Sequence, residues 1–208
     1  MHHALVRAIA YAALGRIEIE TMTPEQKTVF YTALYHTMLG PILYEDVDGS
    51  YRGLDQNVHN SDGFTNYTIF SLWDTYRALH PWFTLMQPSR NENMIHSMLA
   101  HFDQSVHPML PVWSHYANEN WCMIGYHSVP VIVDAIVKGA DIDLRRALDA
   151  CVKTSSVAYF DGVGEYRELG WVPDEVSGSS VSMTLEMAYD DWCIARLAER
   201  VGEPELMA

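Results

Sequence analysis

At 208 residues, with 49% apolar, 12% aromatic and only 19% charged positions, the chain can bury a sizeable core and is too apolar to stay disordered. Its formal charge is −14 and its 13 Lys and Arg residues are scattered without a basic stripe, which excludes an ordinary nucleic-acid interface. No apolar run reaches membrane-spanning length, and Arg7 interrupts the opening MHHALVRAIAYAALG, so a signal peptide is rejected. The acidic balance suits a neutral substrate, a cationic one or a divalent metal. Cys122, Cys151 and Cys193 lie in apolar, helical-looking settings and read as buried free thiols without zinc spacing.

In chain order, Leu14 to Glu20 alternates apolar and polar residues and reads as a short strand. Thr23-Pro24-Glu25-Gln26 then predicts a capped helix start, followed by a face of Val29, Phe30, Ala33, Leu34, Thr37 and Met38. From Ile42 to Phe64 the chain reads as a long polar loop, which in a compact domain marks a site or disorder. A second helix is predicted from Thr65 to Leu79, where Asp74 and Arg77 are spaced to pair. A third spans about Ser89 to Phe102, with Met94, Ile95, Met98 and Leu99 inward, and a fourth Trp121 to Lys138. A fifth opens at Asp143, and a sixth covers Val181 to Arg200 after a turn-rich segment. No strand of consequence is expected between these helices. The fold class is all-α: about six helices with long loops, fitting an incomplete (α/α)6 toroid better than a solenoid, since no fixed repeat is visible.

The stretch from Pro111 to Ala135 gathers two Trp, two His and a single Glu, Glu119, ahead of a helix apolar nearly all round. A carboxyl held against indole rings has its charged form disfavoured and can serve as a general acid. The plainer alternative is a helix-start carboxylate facing the helix dipole.

The phrases VDGSYRGLDQNVH, DGFTNYTIFSLWDTYRALHP, MLPVWSHYANENWCMIGYHSVPVIVDA and SVSMTLEMAYDDWCIA together resemble the catalytic domain of glycoside hydrolase family 92, over about Leu14 to Ala198. That family comprises calcium-dependent, inverting exo-α-mannosidases. The resemblance implies an (α/α)6 toroid preceded by a β-sandwich. Residues 14–208 would be part of the toroid, 1–13 an unmatched extension, and the chain a fragment lacking the sandwich and the C-terminal half. It further implies a mannose-containing glycan as substrate, Ca2+ as cofactor, and a periplasmic or extracellular location for the full-length enzyme. By position, Glu119 would protonate the leaving oxygen. The general base would lie in an acidic Gly-Asp-Glu-Asp-type motif that these residues do not contain, leaving the fragment inactive alone.

Glu186 is the implied calcium ligand or near neighbour, with a solvated helical Glu as the plain alternative; Asp190 and Asp191 are expected to be exposed or helix-pairing. Asp74 and Arg77 could bond sugar hydroxyls, Trp73 or Trp113 could stack on a pyranose, and Arg52 and Asp55 belong to an acceptor-rich loop. His127 reads first as a satisfied buried histidine. Two rival functions are a non-catalytic mannoside-binding remnant and an α/α-toroid hydrolase acting on another sugar.

Overall fold

The computed structural model describes residues 11–20 and 23–206, and the chain divides into two compact units, Met1–Pro41 and Ile42–Ala208. In the first unit, helix α1 (Pro24–His36) starts at the expected capping box. The Thr23 hydroxyl accepts from Gln26 N (3.3 Å), and Gln26 Oε1 accepts from Thr23 N (3.0 Å). Its predicted apolar face is not a core face: only Leu34 is buried, and Val29 is 70% exposed. The strand predicted from Leu14 to Glu20 does not form. Residues 11–14 are helical, Gly15 and Arg16 turn, and no ladder among the described residues pairs with the segment. Alternation alone makes no strand where no partner edge is offered.

The second unit opens with four short strands in two antiparallel pairs, three of them where a loop was expected and the fourth within the predicted second helix. Strand β1 (Ile42–Leu43) pairs with β4 (Tyr67–Thr68), and β2 (Ser50–Arg52) with β3 (Val58–Asn60). The helix predicted from Thr65 is interrupted at its start. Ile69 stands at φ 65°, a left-handed conformation that a β-branched residue adopts only under constraint, and Thr68 is committed to β4. What forms instead is a single turn, α2 (Leu72–Thr75), and then α3 (Leu79–Met86). Pro81 falls in the first turn of α3, where no amide donor is missed, so it does not stop the helix.

Helix α4 (Pro88–Gln104) buries Met94, Ile95, Met98 and Leu99 as its spacing predicts. A third antiparallel pair follows, β5 (Ser114–His115) with β6 (Asn118–Glu119). The central helix, α5, runs Ser128–Val137, seven residues later than predicted. Trp121, Met123 and Gly125 hold φ of 56°, 71° and 78°, and no α-helix passes through alternating left-handed residues. Cys122, in this irregular run, is exposed, whereas Cys151 and Cys193 are buried.

Val129, Val131, Ile132, Val133 and Ile136 of α5 are all buried, each contributing about 1.5–3 kcal/mol by removal from water. Around α5 pack α3, α4, α6 (Leu144–Thr154) and α8 (Ser180–Val201). Asp143 caps α6 as expected, accepting from Arg145 N and Arg146 N at 3.0 Å each. The turn-rich segment before α8 also holds an unpredicted helix, α7 (Val163–Leu169). Among the described residues the architecture is helix-rich, with three short two-stranded ladders in the connections between helices.

Candidate active site

Glu119 ends β6 opposite Ser114, a buried residue whose hydroxyl lies 3.1 Å from His101 Nδ1. That register turns the carboxylate inward instead of placing it at a helix mouth. Oε1 accepts from Trp113 N (2.8 Å) and Trp121 N (3.0 Å), and Oε2 from Val112 N (3.0 Å). Two effects oppose each other. Burial favours the neutral acid and the three amide donors favour the anion; burial wins, so the pKa is raised. The hairpin itself is anchored by Tyr116 N donating to Thr68 Oγ1 (2.7 Å) and Phe70 N to Ser114 O (3.1 Å).

A second cluster joins α2, α5 and α8. His127, the residue before α5, is buried with both ring nitrogens on carboxylates: Nδ1 lies 2.8 Å from Asp190 Oδ1, and Nε2 bonds Glu186 Oε2. Both bonds can be donated only by a doubly protonated ring; otherwise one carboxyl carries the proton. Tyr76 stacks on the imidazole at 4.1 Å and 15°. Glu186 Oε1 accepts from Trp73 Nε1 (3.2 Å) and Arg77 Nη2 (3.0 Å), and the Arg77 guanidinium lies over the Trp73 and Tyr76 rings. Trp73, Arg77, His127 and Glu186, singled out separately in the sequence, are therefore brought together in one cluster.

Several expectations are corrected here. Asp190 is not exposed: it is wholly buried, and its Oδ2 accepts from Tyr126 N (2.9 Å). Asp191 accepts from the Tyr126 hydroxyl (2.6 Å). Glu186 is not a solvated helical acid, its side chain being 15% exposed. Asp74 bonds the Ser71 hydroxyl and leaves Arg77 to Glu186. Asp190 and Tyr76 were missed as site residues. Asp190 is four residues after Glu186 on one helix, the spacing that puts two carboxylates on one face, and that was the available signal.

Arg52 and Asp55 lie elsewhere, in the β2–β3 hairpin. Asp55 accepts from Asn57 N and Nδ2 and holds His59 at 2.9 Å; bonding by Asn57 and His59 lowers its pKa to about 2. Arg52 Nε reaches Gln56 O at 3.3 Å. Trp113 meets Glu119 through its backbone amide. Beside the Glu119 hairpin opens a cavity of about 470 Å3, lined by Trp121, Phe160, Tyr159 and His107 among others.

The model of the glycosyl hydrolase family 92 catalytic domain matches residues 10–208. The chain belongs to glycosyl hydrolase family 92. It is similar to the family 92 α-mannosidase BT3965 from Bacteroides thetaiotaomicron, with 49% identity and a TM-score of 0.95 over 98% of this chain and 28% of that one. The family 92 inverting mannosidase BT2199 of the same organism is 35% identical, with a TM-score of 0.90 over 98% of this chain and 29% of its own. The chain thus spans well under a third of the length of these relatives. Among curated proteins none matches. No helix among the described residues is long and apolar enough to cross a membrane.

Resemblance to family 92 implies calcium, so the donors around Glu186 matter. A calcium ion takes six to eight oxygens. Glu186 instead faces an indole N–H, a guanidinium and an imidazole, and Asp190 is spent on His127 and a backbone amide. Among the described residues no group of three or more His, Cys, Asp or Glu is placed to hold a metal ion. These residues alone do not make a calcium site.

Proposed function

We propose that this chain carries the acid side of an α-mannosidase active site that removes terminal α-linked mannose with inversion. The observation that carries the reading is the environment of Glu119: a largely buried carboxyl whose pKa is raised, on the hairpin next to an aromatic cavity, in a family 92 chain. Its two oxygens differ. Oε1 already accepts two amide protons and Oε2 only one, so Oε2 can take the acidic proton and still accept from Val112 N. Inversion needs a second carboxylate roughly 6.5–9.5 Å from the acid to activate water; in this reading it comes from another part of the full-length enzyme.

The Trp73, Arg77, His127 and Glu186 cluster would bind the sugar. Buried Asp190 orients His127, which holds Glu186; Arg77 is half exposed and offers donors to hydroxyls. Where calcium is bound, it would polarise or grip sugar oxygens; Glu186 would be one ligand, with the rest from outside the described residues. Asp74 and Trp113 remain lesser sugar contacts in this proposal, while Arg52 and Asp55 shape the hairpin. We further infer that the helices belong to an (α/α)6 toroid. Its support is the outward face of α8, where Val181, Leu185 and Trp192 are 72%, 65% and 57% exposed, as expected of a helix that packs against further helices.

A chimera tests the chemistry: this chain replaces the corresponding segment of BT3965, and hydrolysis of a dinitrophenyl α-mannoside is compared with that of an α-mannobiose. Glu119→Gln should abolish cleavage of the disaccharide and spare the activated aryl glycoside, which needs no protonation. Equal losses on both substrates would refute the acid role. They would favour the second reading, a mannoside-binding piece in which Glu119 only braces its hairpin, a role its three amide bonds also suit.

A further inference from the structure

The cavity beside the Glu119 hairpin has so far been assigned no ligand, and its backbone is unusual. Six non-glycine residues among those described have positive φ: Gln56, Ile69, Tyr116, Trp121, Met123 and Asp161. Three of these six, Trp121 (56°), Met123 (71°) and Asp161 (35°), line this one cavity. Left-handed conformations cost bulky residues of order 1–3 kcal/mol each, and they persist where the surroundings enforce a geometry that function uses. The enforcement is visible. Glu119 Oε1 holds Trp121 N at 3.0 Å, and Asn120 Oδ1 holds Cys122 N at 3.2 Å. From the other wall, Phe160 meets the Trp121 indole at 5.5 Å and 58°. His107 sits edge-on to Trp121 at 5.5 Å, and its Nδ1 lies 2.9 Å from the Tyr159 hydroxyl.

We propose that this cavity is a binding subsite for a neutral hexopyranose ring of the glycan, seated on Trp121 with Asp161, His107 and Tyr159 at its rim. The inference rests on the α-mannosidase reading and adds a subsite to it. At about 470 Å3 the cavity is in the range of small-ligand sites. An indole face suits the C–H face of a pyranose, and the rim groups are hydrogen-bonding partners for its equatorial hydroxyls. Aromatic walls around a carboxylate also suit an organic cation. Desolvation raises the Asp161 pKa, which weakens it as a counter-ion and favours the neutral ligand. Trp121 follows Glu119 by two residues and its amide is bonded to that carboxylate, so the subsite adjoins the hairpin that carries the proposed acid, although Glu119 itself does not line the cavity.

The test uses the 208-residue chain without the chimera, so it is independent of turnover. Methyl α-mannopyranoside and benzylamine are each titrated while the indole N–H resonances are followed, the Trp121 signal being assigned by its loss in Trp121→Phe. The mannoside should shift the Trp121 resonance saturably. Trp121→Ala should weaken the sugar at least tenfold, Asp161→Asn, which keeps a residue tolerant of positive φ, about threefold, and Trp192→Phe, outside the cavity, less than twofold. No saturable shift at Trp121, or an unchanged affinity in both Trp121→Ala and Asp161→Asn, overturns the subsite. Saturation by benzylamine without the mannoside overturns it in favour of a cation site. Should Trp121→Ala fail to fold, the unmodified chain and Asp161→Asn decide the question. Failure here leaves the acid role of Glu119 standing, because the chimera measures that separately.

Discussion

Replacing Glu119 perturbs structure as well as chemistry, and the two effects can be sized from its hydrogen bonds. Glu119→Ala removes the acceptor of three backbone amides, from Val112, Trp113 and Trp121, in a largely desolvated pocket. A buried donor left without a partner costs about 1–3 kcal/mol, so three cost about 3 kcal/mol or more. Glu119→Gln is milder. Turned so that its oxygen takes the Trp113 and Trp121 amides, its NH2 group faces the Val112 N–H, donor against donor, and one amide is lost at about 1–3 kcal/mol. In a protein of this size one kcal/mol moves Tm by roughly 2–4 °C, which predicts drops of about 2–12 °C for Gln and more for Ala. Thermal unfolding followed by circular dichroism and by calorimetry measures both. Because Trp121 is held left-handed through Glu119, its indole resonance should broaden or shift in the Ala variant before global unfolding. An Ala variant within about 0.5 kcal/mol of the parent chain would refute the bracing geometry, since an ordinary surface substitution has that effect.

The structure also predicts loss of stability in mild acid. His80 and His101 are fully buried, and desolvation pulls both pKa values down to about 4 from 6.5. Between these values the unfolded chain binds protons that the folded one refuses, so stability falls as pH drops from 6.5 to 4, on the order of 2–3 kcal/mol per histidine. Denaturant midpoints at pH 7 and pH 4.5 check this, and a His101→Gln variant with an unchanged slope would contradict it. On α8, the exposed Val181, Leu185 and Trp192 should drive self-association. Sedimentation should show oligomers that Leu185→Glu with Trp192→Ser converts to monomer; a monomeric parent chain refutes the idea. Calcium added to the chain alone should leave Tm unchanged, because Glu186 is surrounded by donors and not by oxygens. A dose-dependent rise reversed by chelation would show a site the side-chain geometry does not reveal.

Where the sequence was legible, one local interaction decided the outcome. The Thr23–Gln26 box, the Asp143 cap and the four apolar residues of α4 each fix structure within a few positions of themselves, and each formed as read. The readings that failed depended on distant partners. The helix read from Thr65 to Leu79 was outvoted by the pairing of Thr68 with Ile42 and by the bond from Tyr116 N to its hydroxyl, both set by other segments. The apolar run after Trp121 looked helical because side-chain hydrophobicity does not report φ, and Gly125 was its one warning of left-handed backbone. The candidate site shows the same division. Glu119 is largely buried with a raised pKa, as expected of it, although a strand register and not a helix start is what turns it inward, and backbone amides rather than indole rings are what it meets. Trp73, Arg77, His127 and Glu186 could be named singly, but their convergence is a property of how α2, α5 and α8 pack. Asp190 was misjudged because one face of α8 buries a carboxylate against His127 while another presents Leu185 and Trp192 to water. That inversion of the usual amphipathic pattern is intelligible if α8 is an inner helix of a larger assembly, with its polar groups turned to a site and its apolar ones to a neighbour. For such a helix, periodicity alone misassigns the two sides, and only the hydrogen-bond partners distinguish them.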